Sequence, residues 1–89
     1  MATRTLEIVN EKGLHARAAA RFVEVVDQFD AEATVAKDGR ECSGDSIMGL
    51  LMLAASRGTT IEVTTSGAEA DALMAALAAL VLEGFGEDR

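Results

Sequence analysis

Proline, tryptophan and tyrosine are missing from this chain of 89 residues, and histidine and cysteine occur once each. A lone cysteine, Cys42, cannot form an internal disulfide, which suits a reducing compartment. One histidine and one cysteine cannot build a structural zinc site, so neither metal nor cofactor is expected. Basic residues are also scarce: eight Lys and Arg stand against 15 Asp and Glu, leaving a net charge of −7. Nucleic acid demands a basic face and is therefore not an expected partner. The longest uncharged apolar run, residues 47–55, is less than half the ~20 residues that span a bilayer. Residues 1–5 lack the apolar stretch of a signal peptide. These absences point to a cytoplasmic monomer that binds no membrane.

What is present fits one small domain spanning residues 1–89, with room for a modest core. Hydrophobic residues make up 49% of the chain, too many for a disordered polymer. Residues 3–9 alternate polar and apolar and predict a half-buried strand. Asn10-Glu11-Lys12-Gly13 predicts a turn. From residue 16 to about 29, Ala19, Phe22, Val23, Val26 and Phe29 recur at helical spacing. Two short β-like runs flank Lys37-Asp38-Gly39, a strong hairpin signal. Ser46 is a good N-cap for a short helix reaching about residue 55, with Gly58 just past its end. Residues 59–65 predict a second alternating strand. Residues 70–82 predict a long helix with Leu73, Leu77, Leu80 and Val81 on one face. Gly84-Phe85-Gly86 ends that helix, and Glu87-Asp88-Arg89 is expected to be a loose tail. Alternating strands have one wet face, so the reading is an α+β two-layer sandwich: an antiparallel sheet with helices on its other face.

One stretch carries chemistry. In Gly13-Leu14-His15-Ala16-Arg17 the lone histidine stands just before a predicted helix, whose first N–H groups and positive dipole end attract anions. Arg17 adds a guanidinium fork suited to phosphate oxygens. A neutral imidazole is a good nucleophile near pH 7. These parts describe a site able to hold a phosphoryl group on a histidine nitrogen. A positive charge at a helix start is itself unfavourable, so Arg17 invites an anion to explain it. The second informative stretch is Ser46-Ile47-Met48-Gly49-Leu50. A helix apolar all round must cover something, and a chain this small cannot bury every face. Ile47, Met48 and Leu51 are thus read as a docking patch, with Ala20 and Arg21 as its rim; methionine adapts to differently shaped partners.

These two motifs, at this separation, resemble HPr, the histidine-containing phosphocarrier family of the bacterial phosphotransferase system. The resemblance covers essentially the whole chain. It implies an open-faced β-sandwich with four antiparallel strands and three helices on one face, in βαββαβα order. It implies that His15 accepts a phosphoryl group on Nδ1 from phospho-enzyme I and passes it to a histidine of an EIIA-type protein. The Arg17 side chain and the backbone N–H groups of Ala16 and Arg17 then hold the phosphoryl oxygens. Ser46 matches the regulatory phosphoserine, with an HPr kinase/phosphorylase as its partner. The chain departs from the family in three ways. Ala18 replaces a proline that would preorganise the first helical turn. Asp45 stands where lysine is common, and Glu24 and Asp27 lie on a helix often richer in lysine, which lowers the positive potential that would steer acidic partners. The run Leu50-Leu51-Met52-Leu53-Ala54-Ala55 is similar to the subgroup serving the nitrogen-related branch.

His15 as a capping residue, Arg17 as a solvated first-turn side chain and the apolar helix as plain core are the bland alternatives. Cys42 reads as an inert strand residue. Carboxylates are scattered singly, so no glycosidase pair exists, and Lys12-Gly13 is not a P-loop. Two other functions compete with a phosphocarrier that is not an enzyme. One is a regulatory binding module controlled through Ser46, with His15 vestigial. The other is a small phosphatase using His15 as a transient nucleophile.

Overall fold

The computed structural model describes residues 1–87. Four strands, β1 (Ala2–Glu7), β2 (Glu32–Lys37), β3 (Arg40–Ser43) and β4 (Thr60–Ser66), form one antiparallel sheet in the order β1-β4-β2-β3. Helices α1 (Ala16–Asp27), α2 (Ile47–Met52) and α3 (Ala70–Leu82) connect and cover it, and a 3-10 turn, Gly84–Gly86, follows α3. The expected order of elements and the expected antiparallel sheet are both found.

Alternation fixes the faces of the sheet. Leu6 pairs with Ile61 and Val35 with Val63, all buried, whereas the neighbouring pairs Thr5–Glu62 and Thr3–Thr64 lie on the wet side. A one-residue slip would exchange these sets, so burial itself holds the register. The buried face meets Ala18, Ala19, Phe22 and Val26 of α1 and Leu73, Leu77, Ala78 and Val81 of α3 in one core cluster. Thr65 points into this core, and its hydroxyl donates to the Ala70 carbonyl at 2.8 Å. A buried hydroxyl without such a bond would cost free energy rather than contribute it. Between β2 and β3, Lys37 pairs with Arg40 across Asp38 and Gly39, both at positive φ (51° and 81°). That is the two-residue turn whose twist matches a hairpin.

Several boundaries differ from expectation. Helix α1 ends at Asp27, so Phe29 packs on the core from beyond the helix and is only partly buried. Helix α2 stops at Met52, and Ala54 takes the left-handed conformation (φ 52°) expected at Gly58. The chain must reverse early there, because the next residue, Ala55, is buried and its carbonyl accepts from Leu14 N at 2.8 Å. Gly58 instead serves the turn into β4, its N–H donating to the Ile8 carbonyl at 2.8 Å. The expected loose tail is also corrected as far as Glu87. Phe85 is fully buried with φ 59°, and Glu87 is hydrogen-bonded to Asn10 and His15. The expectation for Asp88 and Arg89 lies outside the described residues. Among the described residues no helix is long and apolar enough to cross a membrane.

Candidate phosphoryl site

The site is built on the loop between β1 and α1. Gly13 sits at φ +68°, and a Cβ there would lie 2.5 Å from the Ala55 carbonyl oxygen. Only glycine permits both that backbone conformation and that approach. Leu14 is buried beside it and ties the loop to the exit of α2 through its N–H. The next residue, His15, is therefore delivered to the first turn of α1 by a loop anchored on both sides.

His15 is the N-cap of α1: its backbone is extended (φ −83°, ψ −178°), and its Nδ1 accepts from the Arg17 N–H at 3.2 Å. An imidazole nitrogen that accepts must carry a lone pair rather than a proton. On the other side of the ring, Nε2 meets Oε2 of Glu87. A carboxylate there can only accept, so the Nε2–H donates. The two contacts together select one tautomer, with the proton on Nε2 and the lone pair on Nδ1.

Glu87 is itself held in place. Asn10 is fully buried, and its Nδ2 donates both to the Gly13 carbonyl and to Oε1 of Glu87, each at 2.8 Å. Both partners are acceptors, which fixes the orientation of the amide. Burial works to raise the Glu87 pKa, but hydrogen bonds from Asn10 and His15 and the charges of His15 and Lys12 outweigh it. The carboxyl is held below its ordinary value. The first turn of α1 contains no acidic residue of its own, so Glu87 supplies the anion that a helix start favours.

Around this pair lies a polar cleft lined by Glu11, Lys12, Arg17, Arg21, Gly86 and Glu87. Arg17 is exposed there. Three cations against two carboxylates make this corner locally basic within an acidic chain. Arg21, expected on the rim of the apolar patch, also belongs to this cleft. Glu24, Asp27 and Asp45 are exposed elsewhere. Ala18 is completely buried, so it packs the core as well as starting the helix.

The second motif is found as a separate surface. Ser46 caps α2, its Oγ accepting from Gly49 N at 3.0 Å. Leu50 and Leu53 are buried, while Ile47, Met48 and Met52 are 40%, 68% and 64% exposed. Leu51 packs against the core and, like Ala20, is half-buried, so both keep part of their surface exposed. Met52 adds to this exposed face. Cys42 is half-buried in β3; burial and then the nearby Glu41 push its thiol pKa up, which keeps it protonated and inert. Among the described residues no cluster of His, Cys, Asp and Glu could hold a metal ion.

Residues 2–83 match the family described as PTS HPr component phosphorylation site. The chain belongs to the HPr family. Phosphocarrier protein HPr of Neisseria meningitidis serogroup A is 46% identical over 87 residues, 98% of each chain. Phosphocarrier protein NPr of Escherichia coli K12 is 41% identical over 86 residues, 96% of each. A crystal structure of HPr-C-His from Thermoanaerobacter tengcongensis superposes with a TM-score of 0.94 at 36% identity, covering both chains completely. As a member of the HPr family the chain is a phosphocarrier of the phosphotransferase system, carrying a phosphohistidine, and not an enzyme. Its open-faced sheet and three helices are those of HPr structures.

Three contributing residues were not read from the sequence. Asn10 looked like an ordinary turn residue and Glu87 like tail, and Met52 was not set apart from its apolar run. A signal for Glu87 did exist: Phe85 is one of only three Phe in the chain and stands between two glycines. An aromatic in that setting is an anchor for whatever follows it.

Proposed function

We propose that His15 carries the phosphoryl group, taking it on Nδ1 from phospho-enzyme I and giving it to a histidine of an EIIA-type protein. The observation that carries this reading is the Nδ1 lone pair of the lone histidine, facing the N-terminus of α1. The bond from Arg17 N is long at 3.2 Å, so little is lost when that N–H turns from the ring to a phosphoryl oxygen. The N–H of Ala16 and the Arg17 guanidinium supply further donors from the same turn. Each helix-end contact is worth only ~0.3–1 kcal/mol, which suits a carrier that must release its cargo. Partner positioning supplies most of the remaining barrier reduction.

Ile47, Met48 and Met52, with the edges of Leu51 and Ala20, form the surface on which partners dock, Arg21 marking its border with the charged cleft. Ser46 is the regulatory site for a kinase/phosphorylase. A phosphate there is tolerated by the start of α2 but adds charge beside Asp45 and the apolar patch, opposing docking. The cytoplasm, where such partners work, is the proposed location.

Incubation with phosphoenolpyruvate and enzyme I tests the assignment. The expected result is one acid-labile, alkali-stable phosphate per chain, absent from His15→Ala and passed on to a purified EIIA-type acceptor. Labelling that persists in His15→Ala overturns it.

A further inference from the structure

We infer that Glu87 is a positioning residue for the phosphoryl relay: it fixes the His15 tautomer and offsets the positive charge that the ring acquires on phosphorylation. This rests on His15 Nδ1 being the phosphoacceptor. The geometry supplies both halves. Nε2–H donates to Oε2 of Glu87, and Oε1 of the same carboxylate is gripped by the buried Asn10 amide. Asn10 also holds the Gly13 carbonyl, so one buried side chain locks the histidine loop and the carboxylate to each other. Phe85, buried in the core two residues before Glu87, sets where the carboxylate arrives.

The electron count explains why a carboxylate is useful here. In solution a neutral imidazole places its proton on either nitrogen, and only the Nε2–H form offers a lone pair on Nδ1. During uptake that lone pair forms the N–P bond. The bond from phosphorus to the donor breaks, and its electron pair stays with the donor. No proton moves. The ring now bears phosphorus on Nδ1 and hydrogen on Nε2, and it is a cation. A carboxylate on Nε2–H lowers the energy of that cation, as the aspartate does for the histidine of a hydrolase triad. During delivery the N–P electron pair returns to Nδ1 and the ring leaves neutral. A ring that lost its Nε2 proton would instead have to leave as an anion, a far poorer leaving group. Glu87 therefore keeps the phosphorylated ring in its transferable form. The other charged groups facing the cleft are Arg17 and Arg21 from α1 and Glu11 and Lys12 from the preceding loop. None of them hydrogen-bonds the ring through its side chain, so the carboxylate is the side chain in direct contact with it.

Glu87→Ala and Glu87→Gln separate the two halves, because a glutamine amide oxygen still accepts from Nε2–H but carries no charge. Nitrogen-15 NMR of the ring is expected to show the Nε2–H tautomer in the native protein and in Glu87→Gln. In Glu87→Ala the shifts should move toward the average of both tautomers. Transfer from phosphoenolpyruvate and enzyme I should slow by roughly two- to fivefold in Glu87→Ala. In both variants the alkaline limb of the transfer-rate profile should move to lower pH by about half a unit. A Glu87→Ala protein with the native tautomer and the native pH profile overturns the inference. A native protein that takes up no phosphate overturns the carrier reading instead, and the tautomer measurement on the unphosphorylated ring still decides the positioning role.

Discussion

The starts of α1 and α2 use the same device for opposite ends. Each opens on a side chain that accepts a hydrogen bond from a backbone N–H of the first turn: His15 from Arg17 at 3.2 Å, Ser46 from Gly49 at 3.0 Å. At α1 the cap is the proposed nucleophile, the surroundings are charged, and the helix is 12 residues long with a fully buried face. At α2 the cap is a hydroxyl, the helix has six residues, and its outer face is bare methionine and isoleucine. A cap whose acceptor is also a reactive lone pair can be withdrawn for chemistry, because a long helix packed on a core survives the loss. A six-residue helix has little stability of its own, and its cap serves mainly to keep an apolar surface presented. Reaction and recognition are thus divided between two helix starts joined by the contact of Gly13 and Leu14 with Ala55.

The sharpest way to break this contrast is to remove each cap in turn. His15→Ala should abolish phosphoryl uptake completely while far-UV circular dichroism stays native. Loss of α1 in that variant would mean that its cap is structural after all. Cutting the joint between the two starts comes next. Gly13→Ala forces a positive φ on a side chain and drives its Cβ against the Ala55 backbone. A destabilisation of about 1–3 kcal/mol is expected in urea titration, and an unchanged midpoint would show that the loop gives way freely. Ser46→Ala should cost ~1 kcal/mol by the same measurement and leave labelling of His15 at its native extent. Lost labelling would place Ser46 in the chemistry rather than the scaffold.

The smallest effect expected is on pH. The Glu87 carboxyl is depressed in the folded state relative to its ordinary value of 4.5. Its contribution to stability is therefore fully present above that value and is lost as the pH falls through the lower folded-state value. Carbon-13 NMR of the Glu87 carboxyl should give a midpoint below 4.5, and a midpoint at or above 4.5 would mean that Asn10 and His15 do not hold it. No comparable loss is expected at Ser46, whose cap does not titrate.

The sheet was legible because strand alternation is a local signal with a period of two: Thr5 and Glu62 against Leu6 and Ile61 left no second register. Helix α3 was legible to the residue, since thirteen successive helix-forming positions stand without an internal glycine or proline. The end of α2 was not. Ala54 adopts a conformation that alanine disfavours, and the reason is the distant demand of Leu14 for the Ala55 carbonyl. The same distinction divides the site. His15, Arg17 and Ser46 sit in short motifs whose capping logic is written within four residues. The Asn10–Glu87 bond joins positions 77 residues apart, and nothing local in an Asn-Glu-Lys-Gly turn marks its first residue for burial.

The strand order has a consequence for the growing chain. Strand β4 lies between β1 and β2 and is the only partner of β1 in the sheet. Until residues 60–66 leave the ribosome, only the local β2–β3 hairpin can close, and β1 must wait as an unpaired edge. The histidine that the chain makes early is therefore not framed until very late, when Phe85 is inserted and Glu87 follows it. A nascent chain holds its lone histidine before the ring's partner Glu87 exists, so the full set of contacts on that ring and the completion of the fold arrive together.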